Sequence, residues 1–429
     1  MNQAIAAERT ETSCKADSGI SGPRLRLINR LCFTIIVAIV SLNAWWPRLA
    51  EDPAHWPSSA NMGDFSLNVR LSDQVCGDLK YPTAFAYPPP AVLFWHGLGR
   101  LGIPAAGALW LLLVPTSVMG SFLFSRLLGR ARDRDGDSRD GMVMVFAFVV
   151  TSYFVMCDVV IGNCNSVYLL LVLLALWCWQ KQKYSWAGIF LAASVALKIY
   201  SIAFLPLLLL RKMWRIGSVM AAAVLFLFLA LPSLYFGWHN TVVVTQHWLE
   251  AMRSASRLDY LLGYHACKIS LAWCALVLLN GAASAGKVNQ LDLNMNSVAL
   301  IVRLVQLGWL LAVALYFVVV SPLQTQTRRG RLAFALDCSV ILLLPLPLSP
   351  FLQPHHLVVL VLPAVVLAGV ASDSNASRRS RALAIFTVAT SACLTRFADY
   401  PCPGIGAMLT VAIYFVGICI IRWDKTAVK

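Results

Sequence analysis

Long apolar runs, separated by short clusters of basic residues, recur through most of this 429-residue sequence. Three clear examples are Ile35 to Trp46, Met142 to Cys157 and Val219 to Ala230. An apolar run that approaches about 20 residues can cross the hydrocarbon core of a membrane as a helix. Charged residues make up only 13% of the chain, whereas a soluble domain needs about 25%. The sequence therefore predicts an all-α fold, a polytopic transmembrane helical bundle.

We predict about 12 membrane segments, some of them short or re-entrant. They cover residues 29–48, 103–128, 141–161, 165–180, 185–197, 202–210, 216–236, 297–320, 332–349, 356–371, 383–397 and 404–422. A cytoplasmic N-terminus places nearly every cluster of Lys and Arg on one side of the membrane, as the positive-inside rule requires. The net charge of +15 is then explained by contact with anionic inner-leaflet lipid, and no nucleic-acid partner is expected.

This topology predicts three parts of the chain. They are a disordered cytoplasmic N-terminal segment at 1–28, a transmembrane domain at 29–422 with outer loops 49–102 and 237–296, and a cytoplasmic tail at 423–429. Two stretches are too short for full crossings. The stretch from Ser185 to Leu210 should be a pair of short helices that turn at Lys198, and Ile269 to Leu279 should lie in the interface or re-enter. Because irregular backbone at membrane depth needs a cavity or a protein environment, we expect a site that opens outward.

Lys198 is the charged residue that fits its apolar surroundings least well. An ammonium group within a membrane helix costs about 2.5–3.5 kcal/mol on insertion scales, so it should face a cavity or a partner. A phosphate suits this compact point charge. The alternative is that the side chain extends along the apolar surface to the outer interface. Asp158 is a second ionisable residue at membrane depth and a functional candidate for the same reason.

Other candidate residues also fall on the predicted outer side. Asp64 follows the first segment and could act as a general base, although a solvated loop carboxylate is the alternative. Asn163 and Asn165 lie in a turn, where small amides can bind sugar hydroxyls or cap a helix. His355 and His356 begin a late segment. Neighbouring residues do not share a helical face, so we expect at most one ring in a site, and an interfacial polar cap is the alternative.

Motifs for cofactors and nucleotides are incomplete in the sequence. Most of the twelve cysteines lie in apolar runs, and no CxxC or Cys/His cluster has metal-ligand spacing, so we expect no metal and no other cofactor. Residues 97–102 match GxGxxG but lead into a membrane segment without a βαβ unit. Residues 281–287 match GxxxxGK but lack the Ser or Thr that should follow.

Five motifs occur in an order that resembles glycosyltransferase family 87, polytopic bacterial enzymes of the C-type superfamily that includes mycobacterial mannosyltransferases. The motifs are Gly63-Asp64, Ala86-Tyr87-Pro88-Pro89, Gly162-Asn163-x-Asn165, Ala196-Leu197-Lys198-Ile199-Tyr200, and Leu348-Ser349-Pro350 followed by His355-His356. The resemblance covers approximately residues 30–420.

The resemblance implies a polyprenyl-phosphate sugar donor, usually the mannose form, and an envelope glycolipid or glycan acceptor. Transfer would take place at the outer face of the bacterial cytoplasmic (inner) membrane, with membrane lipid around the prenyl tail. At the position of Asp64 the family has a general base for an inverting displacement. The departing phosphate needs nearby positive charge, which we assign to Lys198, His355 and His356 as donor phosphate-binding residues. The substrate-binding candidates are Tyr87, Asn163, Asn165 and Tyr200.

Two other classes of protein compete with this prediction. Many membrane helices and intramembrane Lys, Asp and His also fit a multi-pass transporter or lipid flippase. Against it, the sequence contains no evident internal repeat, and the polar candidates gather at one face rather than at the midplane. The third class is a non-catalytic assembly partner in cell-envelope synthesis.

Overall fold

The structure, a computed structural model, describes residues 63–82, 85, 87–129, 139–255, 295–320, 328–349, 352–373, 376–396 and 403–424. Within these ranges the chain is helical and contains no strand, which confirms the predicted all-α fold class. The predicted first span at 29–48 and the proposed interfacial stretch from Ile269 to Leu279 lie outside the described residues.

Sixteen α-helices occur within the described ranges. The first eight are α1 Gly63–Asp78, α2 Pro89–Gly99, α3 Ile103–Gly129, α4 Arg139–Ile161, α5 Asn165–Gln180, α6 Tyr184–Leu197, α7 Phe204–Leu210 and α8 Trp214–Leu225. The others are α9 Leu231–Phe236, α10 Trp238–Ala255, α11 Met295–Val319, α12 Arg328–Leu343, α13 Pro345–Leu348, α14 Val361–Ser372, α15 Arg378–Arg396 and α16 Pro403–Trp423. Two 3₁₀ segments and one π-helical turn accompany them, at Ile199–Ala203, Pro354–Leu360 and Phe226–Ala230.

Seven helices in the described part of the chain are long and apolar enough to cross a membrane. They are Ile103–Gly129, Met142–Ile161, Trp214–Phe236, Ala299–Val319, Gly330–Leu348, Pro354–Ser372 and Gly406–Trp423. Each coincides with a predicted segment, and the chain is a multi-pass membrane protein. Three further predicted segments are shorter apolar helices, at Asn165–Gln180, Tyr184–Leu197 and Ile199–Leu210.

The predicted segment 383–397 falls in α15, which is not among these seven helices. The sequence of α15 includes four arginines near its two ends, at 378, 379, 381 and 396, so its apolar part is shorter than that of the other spans. The total number of crossings stays a prediction.

The helices differ in how deeply they lie within the bundle. The most apolar part of Pro354–Ser372 is 78% buried, and that of Gly330–Leu348 is 72% buried, so these two helices form the centre. Only 11% of the corresponding parts of Trp214–Phe236 and Ala299–Val319 is buried, which places both helices at the periphery. Helix α14 packs against α3, α4 and α15, while α6 packs between α5 and α8.

The chain breaks its helical path at Lys198, as the sequence predicts. Helix α6 ends at Leu197, and Lys198 has an extended backbone with φ −145° and ψ 124°. Its N–H still donates to the carbonyl oxygen of Ser194 at 2.8 Å. The chain then continues as a 3₁₀ turn into the seven-residue helix α7. This break exposes the region around Lys198 to side chains from other parts of the bundle.

An aromatic cluster fixes α1 against the following helices. The ring of Phe65 lies 5.9 Å from that of Trp95 and 5.8 Å from that of Trp110, centroid to centroid. The indole N–H of Trp110 also donates to the carbonyl oxygen of Gly162 at 2.9 Å. Gly162 has a φ of 72°, a left-handed conformation that glycine adopts without strain. The cluster therefore holds both Asp64, which precedes Phe65, and the turn after Gly162.

Candidate active site

Three separate parts of the chain meet at Asp64. The side-chain Nδ2 of Asn163 donates to Asp64 Oδ2 at 2.7 Å. The Nε2 atom of His355 lies 4.0 Å from the same carboxylate oxygen and 3.4 Å from Asn163 Nδ2. Asp64 belongs to the first turn of α1, Asn163 to the turn before α5, and His355 to the 3₁₀ segment before α14. A carboxylate, an amide and an imidazole are thus brought within hydrogen-bonding or near-contact distance.

The amide of Asn163 is oriented by its other contacts. Its Oδ1 accepts from the backbone N–H of Cys164 at 2.7 Å and from the Tyr87 hydroxyl at 3.3 Å. Because both of these groups donate, the oxygen must face them and the NH₂ must face Asp64. Tyr87 and Cys164 also touch, with the Cys164 Sγ 3.6 Å from the Tyr87 Oη. The hydrogen bond to the carboxylate is consequently fixed in its direction.

Lys198 lies beside this group and is held by an amide. Its Nζ donates to Asn165 Oδ1 at 2.5 Å and lies 5.6 Å from the centroid of the Tyr87 ring. The Nδ2 of Asn165 donates in turn to Asp158 Oδ1 at 2.8 Å. Asp158 Oδ2 accepts from the backbone N–H of Ser166 at 2.9 Å and from its hydroxyl at 2.5 Å. The ammonium is therefore tied through one amide to a fully buried carboxylate.

The second histidine faces a different neighbour. The ring of His356 makes an edge contact with that of Tyr200 at 6.2 Å and with that of His355 at 4.5 Å. Its Nδ1 accepts from the backbone N–H of Gln353 at 3.1 Å, which caps the 3₁₀ segment. The hydroxyls of Tyr200 and Ser349 are 2.9 Å apart.

All eight residues proposed from the sequence belong to one continuous set of contacts. They are Asp64, Tyr87, Asn163, Asn165, Lys198, Tyr200, His355 and His356. Helix capping was the alternative for the amides of Asn163 and Asn165, but the group that accepts the Ser166 N–H in the first turn of α5 is the carboxylate of Asp158.

Burial controls the proton affinity of Asp64. Its side chain is 32% exposed, and the loss of solvent raises its pKa above the usual value for an aspartate. The hydrogen bond from Asn163 and the positive charge of Lys198 act in the opposite direction, and burial has the larger effect. A carboxylate with a raised pKa binds a proton more tightly, which suits a group that must remove one from a hydroxyl.

No group of three or more His, Cys, Asp or Glu side chains that could hold a metal ion occurs within the described ranges.

Two polar features of the bundle were missed by the sequence analysis. One is the link from Asp158 through Asn165 to Lys198. The other is a buried ion cluster, in which Asp337 pairs with Arg211, lies 3.1 Å from Arg422 Nε and accepts from the Tyr316 hydroxyl at 2.7 Å. A single Asp within the apolar segment 332–349 was the available signal, because ionisable residues at membrane depth require partners.

The comparisons with known proteins give one family. The sequence model described as Glycosyltransferase family 87 matches residues 85–350, which is more than half of the chain. No curated protein matches the sequence. The matched range includes six of the nine residues discussed as candidates for chemistry at this cluster, while Asp64 precedes it and the two histidines follow it.

Proposed function

Since the chain belongs to glycosyltransferase family 87 and is a membrane glycosyltransferase, we propose that it transfers a sugar from a polyprenyl-phosphate donor with inversion. Mannose is the first sugar to test. The acceptor is an envelope glycolipid or glycan at the outer face of the bacterial inner membrane, and both termini of the chain are cytoplasmic. Family membership favours this function over a transporter, a flippase or a non-catalytic assembly partner.

One observation carries the proposal: a carboxylate, an ammonium group and an imidazole converge in a single cluster. Asp64 and His355 are joined through Asn163, and Lys198 approaches the same cluster over the ring of Tyr87. These are the groups that an inverting transfer from a lipid phosphate needs, since one must accept a proton and another must stabilise a departing phosphate.

In the proposed step, Asp64 takes the proton of the acceptor hydroxyl. The acceptor oxygen forms a bond to the anomeric carbon of the sugar while the bond from that carbon to the phosphate oxygen breaks. The electron pair of that bond leaves with the polyprenyl phosphate, whose negative charge is stabilised by Lys198 and by hydrogen bonds from His355 or His356. Attack opposite the leaving group inverts the configuration.

Contacts of the remaining candidates support roles in holding the donor and acceptor. Asn163 orients the base through its hydrogen bond to Asp64. Tyr87 and Tyr200 present rings beside Lys198 and His356, and such rings can pack against the apolar face of a sugar. The apolar exterior of the bundle gives the prenyl chain a hydrocarbon environment.

The test replaces the proposed base and leaves its helix intact. The purified protein is supplied with radiolabelled mannosyl polyprenyl phosphate and a lipid extract, and labelled product is measured. Because a general base contributes about 10²–10⁴-fold to a rate, Asp64→Asn should lower transfer by that factor. Asp73→Asn is the matched control, because Asp73 lies on the same helix, is 52% exposed and contacts His96.

Several results would contradict parts of the proposal. Full activity of the Asp64→Asn protein would remove Asp64 as the base. Transfer from a different sugar phosphate, but not from the mannosyl donor, would change the sugar and leave the reaction class in place. Mass spectrometry of the glycolipids lost from a deletion strain would identify the acceptor.

A further inference from the structure

We propose that Asp158 is a positioning residue for Lys198, which it holds in place through the side-chain amide of Asn165. The inference rests on the proposed function, because it assumes that Lys198 binds the donor phosphate. Asp158 itself would touch neither donor nor acceptor.

The geometry of the Asn165 amide carries the inference. Asp158 accepts a hydrogen bond at 2.8 Å from Asn165 Nδ2, so the amide oxygen must point the other way. That oxygen accepts from Lys198 Nζ at 2.5 Å. A carboxylate is an acceptor only, and an ammonium is a donor only, so the amide has one orientation that satisfies both. Asp158 therefore determines which end of Asn165 faces the ammonium.

Charge and burial strengthen this link. Asp158 is fully buried, Asn165 is 2% exposed, and Lys198 is half-buried. A buried carboxylate needs compensating partners, and Asp158 has three hydrogen-bond donors around it, two of them from Ser166. Its negative charge in turn favours an ionised lysine nearby, since opposite charges in a poorly solvated region attract strongly.

The competing explanation is that Asp158 only caps α5. It does accept the backbone N–H of Ser166 in the first turn of that helix, and an acidic group is favourable at a helix N-terminus. A pure cap, however, does not require the amide of Asn165 to connect it to Lys198, 33 residues further along the chain. The two explanations make different predictions when the carboxylate is moved.

The first variant removes the charge and keeps an acceptor for the helix. In Asp158→Asn, the oxygen of the new amide can accept the Ser166 N–H. The NH₂ of the same amide then faces Asn165. Asn165 must then turn, and its NH₂ faces the ammonium of Lys198. We expect the KM for the mannosyl polyprenyl phosphate to rise about tenfold, with a smaller change in kcat, because one hydrogen bond to a charged group is lost.

The second variant moves the carboxylate by exchanging the two side chains. Asp158→Asn combined with Asn165→Asp keeps an amide at the cap and places the carboxylate directly against Lys198. We expect the donor KM to return most of the way to its original value. If Asp158 acts only as a cap, Asp158→Asn should leave the donor KM unchanged, because its amide still accepts the Ser166 N–H and there is no defect for the exchange to correct.

Asn165→Ala provides a variant that leaves Asp158 and its contacts with Ser166 in place. It interrupts the link and should raise the donor KM by a factor similar to that of Asp158→Asn. Thr151→Val is the control for folding, because Thr151 is buried on the same helix α4 and its hydroxyl donates to the Ala147 carbonyl within that helix. Its donor KM should not change.

The outcomes separate this inference from the proposed function. An unchanged donor KM in Asp158→Asn, together with a raised donor KM in Lys198→Met, would overturn the positioning role alone, whatever Asn165→Ala does. The absence of rescue by the exchanged pair would also overturn it. An unchanged donor KM in Lys198→Met would overturn the phosphate-binding role of Lys198, and the inference with it.

Discussion

Replacement of Lys198 by methionine tests whether the ammonium group stabilises the phosphate of the donor. Methionine has a similar length and is apolar, so it removes the ammonium while filling much of the same volume. The structure gives Lys198 Nζ a fixed position, 2.5 Å from Asn165 Oδ1 and 5.6 Å from the Tyr87 ring centroid. A cation that is already held in place needs little reorganisation when charge develops on the departing phosphate.

The size of the effect follows from charge and burial. Two unit charges about 4 Å apart interact by about 4 kcal/mol at an effective dielectric constant of about 20. Because Lys198 is half-buried, solvent screens part of that energy, and a loss of about 2–3 kcal/mol is expected, which corresponds to about 30–150-fold in kcat/KM for the donor.

The assay measures initial rates at several donor concentrations with a saturating acceptor extract, in the presence of membrane lipid. Lys183→Met is the matched control, because Lys183 precedes the first residue of α6 just as Lys198 follows its last. Lys183 is exposed and lies near the Trp177 ring, so its loss should leave donor use unchanged. A kcat/KM for Lys198→Met that equals that of the unaltered protein would refute the reasoning.

Two other variants test the base and the packing of the helices. Asn163→Ala removes a hydrogen bond that lowers the pKa of Asp64, so this pKa should rise further. Because the base acts only when ionised, the acidic limb of the plot of log kcat/KM against pH should move to higher pH, and a shift to lower pH would contradict the assignment. Gly188→Ala should destabilise the bundle by about 1–3 kcal/mol, since its new methyl group would lie 2.9 Å from the backbone oxygen of Ile216. The comparison is Gly217→Ala, where the added methyl group meets open space, and equal thermal midpoints for the two variants would contradict this explanation.

Much of the fold could be predicted from the sequence because membrane helices are specified locally. A run such as Met142 to Cys157 must form its backbone hydrogen bonds within itself, whatever its neighbours are. The break at Lys198 was also predictable, since 26 residues between two cytoplasmic clusters cannot make two full crossings. Helix α15 shows where the local signal is weaker, because arginines at both ends shorten its apolar part.

The pairing of side chains across the bundle could not be predicted in the same way. Asp337 and Arg211 are 126 residues apart, and neither periodicity nor spacing relates them. Asn165 was proposed as a substrate-binding residue because amides bind sugars, but its position between Asp158 and Lys198 depends on how α4, α5 and α6 pack. The order of the family motifs predicted which residues form the cluster. Only the structure shows how those residues are hydrogen-bonded to one another.

The brevity of α6 has a consequence for the depth of the reaction. With 14 residues, this helix is about 21 Å long, whereas the hydrocarbon layer is about 30 Å thick. If α6 begins at the cytoplasmic boundary of the membrane beside Lys183, as the proposed topology requires, Lys198 lies about 9 Å below the outer boundary. The polar head of a lipid must descend to that level to reach the ammonium, while its tail stays among hydrocarbon. The number of residues in α6 thus sets the depth in the membrane at which a lipid phosphate would meet Lys198.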